Sequence, residues 1–180
     1  LLNRILTEQH GEKIAVIENE FGESSIDNEI LVRDKQEQIV EMNNGCLCCT
    51  VRGDLNRALD GLWERILGGK SIRRVVVETT GLADPAPILA TLMADPRMGA
   101  RFVLDGVVTV VDAVAGLATM DAQEEALRQA AVADRIVLSK TDLATPEQVA
   151  ALTQRLAALN PVAPVITAVQ GAVAPEAILA

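Results

Sequence analysis

Apolar residues fall along this chain in two rhythms. Unbroken runs such as Ile14-Ala15-Val16-Ile17 predict strands buried on both faces, while apolar positions spaced i, i+3, i+4, i+7 predict amphipathic helices. An opening helix carries Leu1, Leu2, Ile5 and Leu6 on one side and stops at Gly11. Residues 13–18 read as a strand that enters an acidic, turn-prone loop at 18–23. The polar stretch 24–37 is irregular apart from a short strand at 30–32, and 38–42 form another short strand. The clearest helix spans 54–67, with Leu55, Ala58, Leu59, Leu62, Trp63, Ile66 and Leu67 as its core stripe and Gly68-Gly69 as its stop. Further strands are predicted at 74–78, 107–111, 135–138 and 165–169. Helices are predicted from Pro85 or Pro87 to Met93, from a capping box of Asp121 and Glu124 through Ala133, and from Thr145-Pro146 to Asn160-Pro161. The last of these turns Val149, Leu152, Leu156 and Leu159 inward.

Apolar strands alternating with amphipathic helices predict an α/β fold in three layers, a mostly parallel β-sheet with helices on both faces. In such sheets ligands sit beyond the carboxyl ends of the strands. The polar stretches of the sequence are expected there together: Glu18 to Glu23, Cys46 to Cys49, Glu78 to Gly81, Asp112, and Ser139 to Asp142. No repeat, low-complexity tract or linker divides the chain, so one domain over residues 1–180 is expected.

Composition narrows the function. Apolar residues make up 49% and aromatics 2%, so packing rests on Val, Ile, Leu and Ala. Sixteen Lys and Arg against 25 Asp and Glu give a net charge of -9, which opposes phosphate-backbone binding, and there is no aromatic platform for bases. A nucleic-acid partner is not expected. No apolar run is long enough to span a bilayer, so no membrane partner is expected either. All 3 cysteines fall within Cys46-Leu47-Cys48-Cys49, and a reducing, cytoplasmic setting fits unpaired thiols.

Three stretches carry chemistry. Thiolates are soft ligands for zinc-like ions, and on an extended backbone Cys46 and Cys48 fall on one face with Cys49 on the other. Three small inert cysteines are the plain alternative. In Ser139-Lys140-Thr141-Asp142, directly after a buried strand, Asp142 can accept hydrogen bonds from the ring N–H and amino group of guanine, while the Lys140 stem covers the base. Helix capping by Ser139 or Asp142 is the simpler role. In Glu78-Thr79-Thr80-Gly81, a carboxylate at a strand end can hold a water on Mg2+ and a glycine N–H can meet a terminal phosphate. A capped strand-to-helix turn explains the same residues without a ligand.

A phosphate cradle of the form G-x-x-x-x-G-K-[ST] does not occur in the sequence. The stretches LLNRIL, IENEFGE at 17–23, NNGCLCCTVRGDL at 43–55, VVVETTGLADP at 75–85, DGVVTVVDAV at 105–114 and SKTDL at 139–143 resemble the CobW-like family of P-loop GTPases. That family belongs to the larger class of urease and hydrogenase nickel-insertion GTPases. The resemblance covers essentially the whole chain and implies a P-loop NTPase-type fold. It places the first strand and the phosphate loop before Leu1, and it implies a smaller C-terminal domain not seen here.

The resemblance also implies a metallochaperone that couples GTP hydrolysis to delivery of a transition metal, zinc or cobalt, to a client metalloprotein. In those terms Glu78 is the Mg2+-associated carboxylate, Gly81 the terminal-phosphate sensor, and Ser139, Lys140 and Asp142 the guanine-reading turn. Cys46, Cys48 and Cys49 match the metal motif, with Glu18 and Glu23 as nearby carboxylates. Relatives often carry a histidine after VDAV, where this chain has Ala115, and His10 ends the first helix. The remaining metal ligands are left to water, Glu18, Glu23 or a partner. No base for the attacking water stands out. Two other readings are a metal-sequestering or metal-sensing module without GTP turnover, and an ATP-using relative, which Lys140 and Asp142 disfavour.

Overall fold

The computed structural model describes residues 1–2, 13–19, 38–41, 47–51, 55–79, 81 and 83–178, with 18–19, 38–41 and 47–51 described by backbone alone. The expected opening helix beyond Leu2, the acidic loop beyond Asn19 and the strand at 30–32 lie outside these residues. The chain forms two compact units, one from Leu6–Ala83 with Ala94–Phe102, the other from Leu1–Ile5, Asp84–Met93 and Val103–Ala180.

The first unit is built on β1 (Ile14–Asn19), β2 (Gln38–Glu41), β3 (Leu47–Val51) and β4 (Arg74–Thr79), in the spatial order β2-β3-β1-β4. Strand β1 runs parallel to both neighbours, and the β2–β3 pair is antiparallel. The unbroken apolar run does what its pattern predicts, with Ile14, Ala15, Val16 and Ile17 all at 0% exposure. Helix α1 (Leu55–Leu67) packs against β1 and β3 and buries Leu55, Ala58, Leu59 and Leu62. Each fully buried leucine of this kind contributes about 1.5–3 kcal/mol. Leu67 departs from the predicted stripe and is 64% exposed. The helix ends there: Gly69 takes φ 97°, its N–H donates to Ile66 O, and the Lys70 N–H donates to Arg65 O. This left-handed cap, natural to glycine, satisfies two orphan carbonyls and turns the chain away from the core.

After α2 (Pro85–Ala94), the short α3 (Pro96–Arg101) returns to α1. This helix was not predicted; at its start the Asp95 carboxylate accepts from the Arg97 N–H, and proline fills the first turn. Arg101 donates to Asp60 and lies 5.7 Å over the Trp63 ring, which meets Phe102 edge-on at 5.9 Å.

The second unit holds β5 (Val108–Asp112), α4 (Gly116–Ala122), α5 (Glu124–Ala131), β6 (Arg135–Ser139), α6 (Pro146–Leu159), β7 (Val165–Ala168) and α7 (Pro175–Ile178). Its sheet runs β5-β6-β7, all parallel. Ile136 and Leu138 of β6 pack with Met120, Ala130, Leu152 and Leu156 in one core, and Val149 and Leu159 lie against it as expected. Val110 of β5 is instead 51% exposed; among the described residues β5 has a hydrogen-bonded neighbour, β6, on one side.

Helix α6 starts after Thr145 as predicted, and a capping box forms there, with the Thr145 hydroxyl accepting from the Gln148 N–H and the Gln148 side chain accepting from the Thr145 N–H. The one predicted from Asp121 and Glu124 does not form. Asp121 lies inside α4, and Gln123 ends α4 and begins α5 in extended conformation without a side-chain cap. Helix α5 covers most of the predicted helix, and α4 before it was not predicted. Asn160, buried just past α6, donates through Nδ2 to Ala130 O, Ala131 O and Ala133 O and accepts from the Ala163 N–H. Read in sequence as a helix stop, it also gathers the orphan carbonyls at the end of α5.

Candidate functional site

In the second unit, Ser139 is the last residue of β6, and Lys140 and Asp142 lie in the turn that follows. The parallel register sets Ser139 opposite Asp112, the last residue of β5. The ladder continues one step beyond the strands, with the Ala113 N–H donating to Ser139 O at 2.9 Å and the Ser139 hydroxyl donating to Val111 O at 3.2 Å. Lys140 then takes φ 57°, a left-handed conformation that a side chain makes unfavourable by roughly 1–2 kcal/mol. The Leu143 N–H closes the turn on Lys140 O at 3.0 Å. Asp142 sits exposed on this turn, where a carboxylate can receive donors from a ligand.

Asp112 organises the other side. Its Oδ1 accepts from the N–H groups of Val114 at 2.8 Å and Ala115 at 3.2 Å. Its Oδ2 accepts from the Lys140 ammonium at 2.6 Å. The Lys140 hydrogen bond holds the Asp112 carboxyl below the usual carboxylate range, and the two backbone N–H groups add to the effect against a partial desolvation. Sequence reasoning noted Asp112 as a strand-end carboxylate but gave it no role. Its partner lies 28 residues away, and only the β5–β6 register brings the two together.

In the first unit, Glu78 is the penultimate residue of β4 and is exposed. Position 18, the penultimate residue of β1, is in register with it, and Thr50 of β3 is in register with position 18 on the other side. Three adjacent strands therefore reach one level at Thr50, Glu18 and Glu78. Glu78, a hard oxygen donor at a strand end, is a suitable residue to hold Mg2+, which would supply charge neutralisation at phosphate. Gly81 lies in the turn beyond; a Cβ there would meet nothing within 4 Å among the described residues, so the described fold does not itself demand a glycine. In the second unit, Asp84 accepts from the Ala86 N–H at the start of α2 and from Arg128, which also donates to Glu124. Neither Asp84 nor Arg128 was singled out from the sequence.

The cysteines correct one expectation. Cys48 and Cys49 do not lie in a loop past a strand end. They lie within β3, with Cys48 opposite Val16 of β1 and Val40 of β2, and Cys49 opposite Ile17 and Ile39. The run Leu47-Cys48-Cys49-Thr50-Val51 is rich in β-forming residues and is paired on both sides, which favours strand over loop. Cys46, Glu23 and His10 lie outside the described residues. Among the described residues, no three His, Cys, Asp or Glu side chains gather as a metal site. Ala115 begins α4 and offers no ligand atom on its side chain.

The nucleotide-binding domain of the CobW/HypB/UreG family matches residues 1–167. The chain belongs to this family. A curated CobW/HypB/UreG relative, the zinc chaperone YjiA of Escherichia coli (strain K12), is 45% identical over 172 residues, covering 95% of this chain and 53% of YjiA. Zinc-regulated GTPase metalloprotein activator 1 of Schizosaccharomyces pombe is 33% identical over 178 residues, covering 95% of this chain and 42% of the activator. The crystal structure of Zn(II)-bound YjiA GTPase superposes with a TM-score of 0.80 at 43% identity, covering 98% of this chain and 55% of that one. A Zn(II)-bound triple mutant of YjiA, with one glutamate and two cysteines replaced by alanine, matches with a TM-score of 0.81 at 41% identity over the same shares. The fold is the α/β, P-loop NTPase-like fold of this family, with mostly parallel strands and helices. The chain spans about half the length of the curated relatives it matches. No helix among the described residues is long and apolar enough to cross a membrane.

Proposed function

We propose that this chain is the GTPase domain of a cytoplasmic metallochaperone that couples guanine-nucleotide state to binding and delivery of zinc, or a similar ion such as cobalt, to a client metalloprotein. The observation that carries the reading is the strand order β3-β1-β4. It sets the cysteine-bearing strand two steps from the strand ending at Glu78, roughly 10 Å at the ordinary strand spacing. A change in phosphate occupancy at Glu78 and Gly81 reaches the metal ligands across the single intervening strand, β1, whose penultimate residue is Glu18.

Pairing on both sides makes Cys48 the fixed member of the Cys46 and Cys48 thiolate pair. The ligands that change with nucleotide state are those carried outside the strands, with Cys46 and Glu23 as the candidates, while Glu18 is held within β1. Lys140 and Asp142 select guanine, with Asp142 accepting from its ring N–H and amino group. The phosphate loop is supplied from outside the 180 residues, since the sequence holds no such motif and spans half of its relatives. YjiA and the fission-yeast activator support zinc as the cargo by their names.

Calorimetric titration of the full-length protein tests this. GTP binds more tightly than ATP, and zinc affinity differs between the GTP-bound and GDP-bound forms. Equal affinity for the two nucleotides removes the guanine assignment, and equal zinc affinity in both states removes the coupling.

A further inference from the structure

We propose that Asp112 is a positioning residue for guanine recognition: it holds Lys140 in its base-covering direction before nucleotide arrives. The inference rests on the guanine-reading role of the Ser139 to Asp142 turn. A lysine side chain has the largest rotamer freedom of the common residues, and fixing it on a ligand costs affinity unless something fixes it first. Here Lys140 leaves β6 in the left-handed conformation, and its ammonium is tied at 2.6 Å to a carboxylate on the neighbouring strand end. The methylene stem must therefore run from the Lys140 backbone toward Asp112, across the exit of the two strands.

Asp112 is itself held. Its other oxygen takes two backbone N–H groups from the turn that leads into α4, and its backbone is in register with Ser139. The carboxylate cannot follow the lysine; the lysine follows the carboxylate. An ion pair with side chains 57% and 29% exposed adds little to folding stability. The geometry thus has more to do with direction than with stability, and its effect belongs in nucleotide affinity.

Steady-state GTP hydrolysis and 13C relaxation at the Lys140 Cε methylene, both on the full-length protein, test this. Asp112→Asn keeps an oxygen for the two backbone donors but removes the charge that holds Lys140. The expected result is a KM for GTP raised about tenfold, the scale of ordering one long side chain. The kcat stays nearly unchanged, and the Lys140 Cε order parameter falls. In a Lys140→Met background the same substitution adds no further rise in KM. An unchanged KM, an equal rise in both backgrounds, or an unchanged order parameter overturns the proposal.

Asp142→Asn is the control for the underlying reading. Its amide can donate to the carbonyl that xanthine carries in place of the amino group of guanine, so preference should pass to xanthosine triphosphate. If preference does not move, the guanine reading itself fails. If it moves while Asp112→Asn is silent, only the positioning role fails.

Discussion

The turn after β6 and the strand that carries the cysteines place their functional residues by different means. Around Ser139 the side chains are fixed by bonds between neighbouring strand ends: Asp112 to Lys140, Asp112 to two backbone N–H groups, and Ser139 to Val111. Around Cys48 and Cys49 the backbone does the fixing, through a parallel ladder to β1 and an antiparallel one to β2. The first arrangement sets the direction of a flexible side chain. The second sets the spacing of short ones and leaves the completion of the site to other segments. A base is always the same shape, so a preformed reader suits it. A metal that must be handed on suits a half-fixed set of ligands.

The largest effect expected from breaking this comparison is on turnover. The 180-residue chain by itself should hydrolyse GTP at least about 10²–10³-fold more slowly than the full-length protein, since it lacks the backbone donors and lysine of a phosphate loop. A phosphate-release assay checks this, and comparable Mg2+-dependent turnover by the chain alone would place the phosphate site within these residues. Next comes the metal. Cys46→Ser with Cys48→Ser should weaken the tightest zinc site by about 100-fold or more, while circular dichroism shows the fold retained, because the core is helix-on-sheet packing. Competition against a zinc chelator reads the first part. Unchanged affinity would mean that these thiolates are not ligands, and unfolding would make the site structural.

A smaller effect sharpens the base-reading side. A Cβ at Gly116 would come 2.8 Å from Val111 Cγ1 and 3.1 Å from Leu152 Cδ2, so the start of α4 approaches β5 and α6 as only glycine allows. Gly116→Ala should destabilise by about 1–3 kcal/mol, read by urea denaturation. A neutral result would show that the turn after Asp112 has room to shift. The smallest effect is electrostatic. The folded pKa of Asp112 is lowered, chiefly by Lys140, so its contribution is fully present above the ordinary carboxylate pKa of about 3.9. That contribution is lost as pH falls through the lower folded value. For a pair this exposed it should stay under about 1 kcal/mol, and Asp112→Asn should remove that part of the acid dependence.

The elements legible in the sequence were those whose signals are local. The helix start at Thr145 and Gln148, the stop at Gly68-Gly69 and the run from Ile14 to Ile17 depend on residues within a few positions of one another. Asp121 and Glu124 carry the same cap spelling but lie where α4 has not yet ended, so a local signal lost to a helix already in progress. The cysteines were expected among the stretches beyond the strand ends, yet Leu47 to Val51 pair on both sides as β3. Of the turn proposed to read guanine, its place after β6 was legible and its internal geometry was not. A left-handed lysine and a carboxylate partner on another strand follow from register, which a single sequence does not display.

The amide of Asn160 also bears on how the protein ages. Asparagine side chains decay when the nitrogen of the next residue, having lost its hydrogen, attacks the amide carbon and closes a cyclic imide. The next residue here is Pro161, whose nitrogen carries no hydrogen and cannot take that path. The hydrolysis product, an aspartate, would turn a negative oxygen toward the carbonyls of Ala130, Ala131 and Ala133, where an N–H group now donates. The residue whose chemical decay would turn this contact from attraction to repulsion is thus followed by the one amino acid that blocks the usual route of decay.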